Sequence, residues 1–256
     1  MIDIHSHILP GIDDGAQTMD DSILMAKAAV EDGIHTIIAT PHHKNGQYDN
    51  YKTQIIELTA ELNHQLHIHH IPLTVLPGQE TRIHGEMVEG IRSEDILTLN
   101  NQGSYVFVEF PFDAVPRYAK QLLFDIQLEG YQPIIVHPER NRQIIEHPDI
   151  LYSLVKKGAF TQITAGSVTG QFGKNVQKFT RQLIEANQTH LIASDAHNTE
   201  SRGFCMTDAY EEIRENYGAS MVYLFAENAE YVVNGENLAS DSPSHIKKKR
   251  KLFGVF

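Results

Sequence analysis

The sequence predicts an α/β protein in which seven parallel β-strands close into a TIM-like barrel, with a metal site at the C-terminal ends of the strands. Two observations predict this fold. Short β-branched or apolar runs alternate with amphipathic helical segments along the whole chain, with no linker-like segment between them. Almost every unusual polar residue falls at the C-terminal end of a predicted strand, and a barrel gathers those ends around a single mouth. An open doubly wound sheet, the alternative, would spread these residues apart.

The predicted strands are apolar runs bounded by turn residues, as expected for strands buried in a parallel sheet. They cover residues 2–7, 35–40, 73–80, 104–110, 131–139, 159–166 and 190–197. The predicted helices lie between these strands, and several end at a glycine, which is a common helix C-terminal signal. They cover residues 20–33, 49–70, 115–130, 147–158 and 174–187. We therefore expect one domain over residues 1–240, followed by a basic C-terminal tail over residues 241–256.

The composition is that of a globular protein with an acidic body. The chain has 256 residues, of which 33 are acidic and 21 are basic, and its formal net charge is -12. Five of the basic residues form the run KKKRK (247–251), so the rest of the chain is more acidic still and should repel nucleic acid. No apolar stretch is long enough to span a membrane, and the start MIDIHSH lacks the regions of a signal peptide. We expect a cytoplasmic protein without a nucleic-acid partner or stable membrane insertion.

Two short motifs have the spacing of metal ligands. His5 and His7 lie two residues apart in the first predicted strand, so both side chains point to the same side. Asp195 and His197 repeat this arrangement at the end of the last predicted strand. A buried carboxylate without a partner costs several kcal/mol, so Asp195 needs an ion or a cation beside it.

Five further polar residues occupy matching positions, four at strand ends and one in the turn after the first strand. They are His42, Glu80, Glu109, His137 and Asp14. The full set contains histidines and carboxylates but no thiolate, which suits manganese, iron or zinc ions. The set is larger than one or two ions need, so we expect up to three ions, with Glu80 as a candidate bridge. Strand geometry alone does not separate Asp14 from Asp13, or His42 from His43.

In their order and intervals, the motifs IDIHSH with DDG, ATPHH, PGQE, HPER and SDAH resemble the polymerase and histidinol phosphatase (PHP) superfamily. They are more similar still to its manganese-dependent bacterial tyrosine-protein phosphatases of the CpsB/YwqE type, which are found beside exopolysaccharide and capsule operons. The resemblance covers residues 1–235. It implies a distorted seven-stranded barrel of the PHP fold, manganese as the cofactor, and a phosphotyrosine protein as the partner, in particular a bacterial tyrosine kinase.

The resemblance also assigns the ligands to three ions. One ion would be held by His5, His7, Glu80 and Asp195. A second would be held by Glu80, Glu109 and His137, and a third by Asp14, His42 and His197. The choice of Asp14 over Asp13, and of His42 over His43, is implied by the resemblance.

Two arginines follow predicted ligands closely and should lie over the mouth of the barrel. Arg140 is in HPER, and Arg202 is in HNTESRG. Arginine matches the oxygens of a phosphate with two parallel hydrogen bonds. The alternative is a surface arginine paired with Glu139 or Glu200. The resemblance supports both arginines as ligands of the substrate phosphate, and Arg142 is a weaker third candidate.

The expected reaction is hydrolysis of phosphotyrosine without a covalent enzyme intermediate. A hydroxide that bridges two ions would attack phosphorus in line, and the phenol, whose pKa is about 10, would leave with help from an ion, His42 or His43. A cysteine nucleophile is disfavoured because Glu211, and not arginine, stands six positions after Cys205. The sequence also lacks an Asp-x-Asp motif, a GxSxG motif and a Walker loop.

Two other functions remain open from the sequence. A PHP phosphoesterase for a small phosphate ester or nucleic acid would use the same ligands, and a non-catalytic metal-binding module would keep the ions without turnover. The two arginines argue against the module, because a metal sensor has no need of phosphate ligands. The aromatic residues Tyr105, Phe107, Phe110 and Phe112 are interpreted first as core or rim packing, and one near the mouth is a candidate contact with an aryl substrate.

Overall fold

The computed structural model describes residues 1–246, and the run KKKRK of the predicted tail lies outside them. Within the described residues, strands and helices alternate along the chain as predicted. The strands are β1 (Ile2–Ser6), β2 (Thr36–Ala39), β3 (His42–His43), β4 (Thr74–Pro77), β5 (Glu80–Arg82), β6 (Tyr105–Glu109), β7 (Gln132–Val136), β8 (Phe160–Thr164) and β9 (Leu191–Ala193).

Helices follow most strands, and all five predicted helices are present, each shorter than predicted. These five are α1 (Met19–Glu31), α2 (Lys52–Ile68), α4 (Ala119–Leu128), α6 (Asp149–Val155) and α8 (Lys174–Glu185). Helices that were not predicted are α3 (Met87–Arg92), α5 (Arg142–Glu146), α7 (Ala165–Thr169), α9 (Met206–Tyr217) and α10 (Ala219–Asn234). Two short 3₁₀ turns lie at Leu99–Asn101 and Pro138–Arg140.

Helix α1 shows why these segments fold locally. The Thr18 hydroxyl accepts a hydrogen bond from the Asp21 N–H, and the Asp21 carboxylate accepts one from the Thr18 N–H. This reciprocal pair satisfies two N–H groups that the first turn leaves without helical partners. The buried face of the helix then places Met25 and Ala26 in the core.

All the paired strands run parallel, which confirms the predicted α/β class, but the strands form two sheets. The first sheet has the order β1-β2-β4, and the second has the order β3-β5-β6-β7-β8-β9. The described residues therefore contain nine strands, whereas the sequence predicted seven. The difference arises because β3 and β5 are separate short strands that begin at or beyond the ends of the predicted strands 35–40 and 73–80.

The two interruptions have local causes. The predicted strand 35–40 continues beyond Pro41 as β3, and proline has no N–H to donate to a ladder. The predicted strand 73–80 breaks between β4 and β5 at Gly78, where a Cβ atom would lie 2.6 Å from the Ile38 side chain. Each break shifts the chain from the first sheet to the second, so β2 and β4 pair in one sheet while β3 and β5 pair in the other.

Hydrogen bonds also join the first strand to the segment that follows the last one. The Asp195 N–H donates to the His5 carbonyl at 2.9 Å, and the His7 N–H donates to the Ala196 carbonyl at 2.8 Å. A parallel bridge connects Ser6 with Ala196 in the same place. The chain segments that carry the first and last predicted ligand pairs are therefore adjacent.

The interior is filled by large apolar side chains on the strands. Tyr105, Phe107 and Ile134 belong to a cluster of buried residues that also takes in side chains of α10. The His5 ring lies 5.0 Å from the Phe107 ring, so the predicted site rests directly on this cluster. Because close-packed interiors deform little, the core fixes the position of the first ligand strand.

The chain after α10 stays attached to the domain beyond the predicted boundary at residue 240. Buried Asn228 donates to the carbonyls of His190 and Ala239 and accepts from the Ala239 N–H. The Ser244 N–H donates to the Ala186 carbonyl at 2.8 Å. Among the helices of the described residues, none combines the length and the apolar character needed to cross a membrane.

Candidate metal centre

All nine predicted ligands lie together, in the strands or in the segments that follow them. His5 is in β1 and His7 directly follows it, while Asp195 and His197 follow β9. The others are Asp14 in the loop after β1, His42 in β3, Glu80 in β5, Glu109 at the end of β6 and His137 after β7. Parallel strands place these ends together, so residues far apart in the sequence share one site.

Glu80 is the centre of the cluster and is fully buried. Its carboxylate oxygens lie 2.8 Å from His137 Nε2 and 2.7 Å from His42 Nδ1. The Nε2 atoms of His5 and His7 lie 3.6 and 3.5 Å from the same carboxylate. One carboxylate thus faces four imidazoles, which is the arrangement expected of a bridging ligand.

Asp195 also faces His5 and His7. Its Oδ1 atom lies 3.4 Å from the Nε2 atoms of both His5 and His7. Asp195 adopts a left-handed backbone conformation, with φ of 54°, which a non-glycine residue rarely adopts without local support. The Asp195 N–H bond to the His5 carbonyl and the Arg140 ion pair supply that support.

The structure distinguishes the neighbouring residues that strand geometry left open. The Asp14 Oδ1 atom lies 3.3 Å from His42 Nε2 and 3.4 Å from His197 Nε2. Asp13 points the other way and accepts from His7 Nδ1 at 2.6 Å, which fixes the orientation of that ring. His43 also points away, because its ring packs edge-on against Tyr51.

Several side-chain atoms of the cluster that could bind a metal ion are buried and lack a hydrogen-bond partner among the described residues. They are Nε2 of His5, His7 and His197, Nδ1 of His42 and Oε2 of Glu80. Buried polar atoms are nearly always partnered, so unpartnered atoms that converge on one another are the arrangement expected of ligands to a cation. The His42 Nδ1 and Glu80 Oε2 atoms are only 2.7 Å apart without hydrogen-bond geometry. These residues fit divalent metal ions.

The side chains form three overlapping groups in which one donor atom from each residue lies within 4.8 Å of the others. The groups are His7, Asp14, His42 and His197; His5, His7 and Glu80; and His42, Glu80 and Glu109. This grouping shares most members with the expected ligand sets but places His42 beside Glu109, where His137 was expected. His137 instead contacts Glu80 directly.

The charges in the cluster are mutually dependent. Burial opposes the charged form of each histidine, but Asp13 raises the pKa of His7 to about 9. Burial is likewise outweighed at His42, where Glu80 and Asp14 raise the pKa to about 11. Burial and then the neighbouring Glu80 raise the pKa of Glu109 to about 7. Protons on these histidines balance the carboxylates, and a bound metal ion would displace them.

Both predicted arginines point into this site. The Arg140 Nη2 atom lies 2.6 Å from Asp195 Oδ2, and the Arg202 Nη2 atom lies 3.3 Å from the same oxygen. Neither is bound to the glutamate that the alternative named, since Glu139 accepts from the Thr164 N–H and the Ser167 hydroxyl. Arg142, the weaker candidate, pairs with Glu146 on the surface.

The sequence missed three residues that support the site. Arg82 donates two hydrogen bonds to Glu109, at 2.9 and 3.0 Å, and Gln162 contacts His5 Nδ1 at 2.9 Å. Phe172 lies near Arg140, with the guanidinium carbon 5.1 Å from the ring centroid. Gln162 could have been predicted as a site residue, because it is a polar residue inside the predicted strand 159–166. Nothing in the sequence pattern indicated Phe172.

A cavity of about 320 Å³ opens above the cluster. Its polar lining includes Glu80, Glu109, Asp195, Arg140 and Arg202. Metal-type ligands and two arginine side chains therefore face the same space. A molecule that carries a phosphate group could contact both kinds of residue at once.

Comparison with known proteins places the chain among bacterial capsule proteins. A family model described as capsular polysaccharide synthesis, CpsB/CapC, matches residues 1–234. The chain is 50% identical to the tyrosine-protein phosphatase YwqE of Bacillus subtilis (strain 168), and the match covers all of both chains. It is 35% identical to the putative tyrosine-protein phosphatase CapC of Staphylococcus aureus over the full length of both.

The fold also matches solved structures. A structure from a study of YwqE from Bacillus subtilis and CpsB from Streptococcus pneumoniae, described as unique metal-dependent tyrosine phosphatases, superposes with a TM-score of 0.94 at 50% identity. The match covers 97% of this chain and 100% of that one. An organophosphorus hydrolase mutant matches with a TM-score of 0.56 at 12% identity, covering 91% of this chain and 92% of the other, which shows a shared fold.

Proposed function

This chain belongs to the capsular polysaccharide synthesis CpsB/CapC family, and on that premise we propose that it is a metal-dependent protein-tyrosine phosphatase. The enzyme hydrolyses the phosphate monoester of a phosphotyrosine residue to tyrosine and inorganic phosphate. The observation that carries this proposal is the shared cavity, in which Arg140 and Arg202 converge on Asp195 beside the orphaned ligand atoms of the cluster.

The nine clustered residues would hold up to three divalent ions, and manganese is the cofactor we propose, with iron or zinc as alternatives. His5, His7, Glu80 and Asp195 would hold one ion, and the remaining ligands would hold the others with Glu80 shared. When bound, such ions lower the pKa of coordinated water toward about 7 and offset negative charge on phosphate oxygens. The ligand atoms are all histidine nitrogens or carboxylate oxygens, which suits this choice of metals.

The chain's own residues bind and orient the substrate phosphate. Arg140 and Arg202 supply guanidinium N–H groups at the cavity, where they would bind the non-bridging oxygens and stabilise their charge. Of the two histidines considered as proton donors to the leaving phenol, His42 lines this cavity, while His43 lines a separate one. We therefore assign no proton transfer to His43.

The single cysteine has no role in this chemistry. Cys205 is buried, and burial raises the pKa of its thiol to about 11. At neutral pH it is therefore a thiol, whereas a nucleophile must be a thiolate. Cys205 also does not line the cavity that contains the arginines. This agrees with hydrolysis that forms no phosphocysteine.

The partner we propose is a bacterial tyrosine kinase that acts in exopolysaccharide or capsule synthesis, together with its phosphorylated targets. The names of the relatives support a phosphotyrosine protein in capsule synthesis, because YwqE is described as a tyrosine-protein phosphatase, CapC as a putative one, and the family by capsular polysaccharide synthesis. The proposal includes a cytoplasmic location and one PHP-type phosphatase domain over residues 1–240. It also includes the distorted seven-stranded barrel, in which β2 with β3 and β4 with β5 each count as one strand.

Rates on three substrates distinguish this function from the alternatives. Protein loaded with manganese is given a phosphotyrosine peptide, histidinol phosphate or single-stranded DNA, and product release is measured for each. We expect the phosphopeptide to be the best substrate by kcat/KM. A higher kcat/KM on histidinol phosphate would identify a small-molecule phosphatase, and cleavage of DNA would identify a nuclease. No turnover on any of them, in protein with bound metal, would favour the non-catalytic module.

A further inference from the structure

The cavity above the metal centre has two chemically different parts. Its floor carries the charged residues of the cluster and the two arginines. Its wall is apolar and consists of Phe110, Pro111, Phe112, Val136, Pro138 and Phe172. A wall of this kind beside a charged floor matches a ligand with an anionic group at one end and an apolar body at the other.

Phe172 is held in this wall by a specific backbone arrangement. It lies between Gly170 and Gly173, which both have left-handed φ angles, of 90° and 91°. The ring packs so closely on α7 that a Cβ atom at Gly166 would lie 3.0 Å from it. On its other side the ring faces the Arg140 guanidinium at 5.1 Å. The ring is 37% exposed, so part of it remains free to contact a ligand.

Phe112 completes the wall on the loop after β6. The backbone of this loop is fixed, because Asn141 Nδ2 donates to the Pro111 carbonyl at 2.7 Å and the Arg142 N–H donates to the Phe112 carbonyl at 3.0 Å. The side chain is nevertheless 74% exposed at the cavity. An exposed aromatic ring on an ordered loop loses little entropy when a ligand covers it.

We propose that Phe112 and Phe172 form an aryl wall that contacts the phenyl ring of phosphotyrosine and selects aryl over alkyl phosphate esters. This inference rests on the proposed phosphatase function. The phosphate of the substrate would lie at the charged floor, and its ring would lie against the two phenylalanines. Aromatic contacts and apolar burial favour a phenyl ring over the short side chain of phosphoserine, which offers no aromatic surface to the wall.

The experiment compares single variants of the metal-loaded full chain. Phe112→Ala and Phe172→Ala remove the two rings. Phe124→Ala is the matched control, because Phe124 is 49% exposed on α4 and does not line this cavity. For each protein, kcat/KM is measured on a phosphotyrosine peptide and on the same peptide with phosphoserine. The inhibition constant of inorganic phosphate and the metal content are also measured.

The aryl wall predicts a selective loss. Each wall variant should lose about tenfold in kcat/KM on the phosphotyrosine peptide, mainly through a higher KM, which corresponds to about 1.4 kcal/mol. The rate on phosphoserine, the inhibition by inorganic phosphate and the metal content should change less than twofold. Phe172→Tyr, which keeps a ring, should retain the selectivity. The control should behave as the unmodified protein does.

Other outcomes overturn the inference. Equal losses on both peptides, or unchanged selectivity, would show that the rings do not contact the phenyl group. Weaker inhibition by phosphate in Phe172→Ala would show that this ring acts through Arg140 and is not part of an aryl wall. If the unmodified metal-loaded protein releases no phosphate from phosphotyrosine, the proposed function itself fails, which is distinct from unselective variants of an active enzyme.

Discussion

Replacing Arg140 with alanine should remove most of the turnover and leave the metal site filled. The Arg140 side chain is only 16% exposed, and its Nη2 atom lies 2.6 Å from Asp195 Oδ2. The guanidinium therefore stands at the cavity floor, where surrounding protein weakens its interactions less than bulk water would. Removing one preorganised donor to a developing oxyanion typically costs 10²–10³ in kcat, or about 2.7–4 kcal/mol. We expect a loss in that range for Arg140→Ala.

The corresponding variants of Arg202 and Arg142 are the comparison and the control for this prediction. The Arg202 side chain is 35% exposed and its Nη2 atom lies 3.3 Å from Asp195, so its removal should cost less, about 10- to 100-fold in kcat. The Arg142 side chain is 72% exposed and binds Glu146 at 3.1 Å. Arg142→Ala is therefore the matched control, and it should change kcat less than twofold.

The assay combines kinetics with metal analysis. Phosphate release from a phosphotyrosine peptide gives kcat and KM for manganese-loaded protein, and elemental analysis gives the bound metal per chain. The guanidinium group stays protonated and has no lone pair to offer a metal ion, so Arg140→Ala should keep its metal. Full turnover by this variant would refute the assignment of Arg140 to the substrate phosphate. Loss of metal together with turnover would show that Arg140 stabilises the metal site instead.

Three further predictions concern the ligands, the packing around them and a buried histidine. His5→Ala or Asp195→Asn should lower both bound metal and turnover, because each removes a donor from the centre of the cluster. Gly15→Ala should destabilise the fold by about 1–3 kcal/mol and weaken metal binding, since its Cβ would lie 1.9 Å from the His7 carbonyl oxygen. His190→Asn should make the free energy of unfolding less dependent on pH. Burial lowers the pKa of His190 to about 4, and the neutral ring accepts a hydrogen bond from the Thr161 N–H. Its neutral form therefore stabilises the fold above about pH 6.5, and about 3 kcal/mol is lost as the pH falls to about 4.

Each of these predictions has a control and an outcome that would contradict it. Normal metal content in both ligand variants would remove those residues from the site. Gly85→Ala is the control for Gly15→Ala, because no atom lies within 4 Å of a Cβ added at Gly85. If the two variants are equally stable in urea, the loop near His7 adjusts to the added Cβ at no cost. For His190, urea unfolding of metal-stripped protein at pH 7 and pH 4.5 gives the difference, and the same pH dependence in His190→Asn would show that another group causes it.

The sequence predicted the arrangement of strands and ligands well because one geometric rule governs both. Parallel strands place their C-terminal ends together, so a polar residue that ends an apolar run is expected at a common site. His5, Glu80 and Asp195 were found by this rule, and the structure places His5 Nε2 3.6 Å from a Glu80 carboxylate oxygen and 3.4 Å from an Asp195 carboxylate oxygen. The same rule could not give the number of strands, because it does not say whether the chain pairs again, in a second sheet, after Pro41 and Gly78.

The residues whose contacts could not be predicted from the sequence depend on loop paths or on contacts between strands, which helix and strand periodicity do not determine. Asp13 and Asp14 are adjacent in a turn, and which one faces His42 depends on the path of that loop. Arg82 follows Glu80 by two residues, but its bidentate contact with Glu109 requires the register between β5 and β6. Phe172 lies in a short turn between two glycines, and its contact with Arg140 joins loops from different strands. These contacts follow from tertiary structure and not from local pattern.

The most direct measurement is phosphate release from a phosphotyrosine peptide by metal-stripped protein, with manganese, iron, zinc, magnesium or no metal added back, and with vanadate as a control for cysteine phosphatases. We expect no turnover without metal, restored turnover with manganese, and resistance to vanadate, because the buried thiol of Cys205 does not take part. Full turnover by protein that contains no measurable metal would contradict the account.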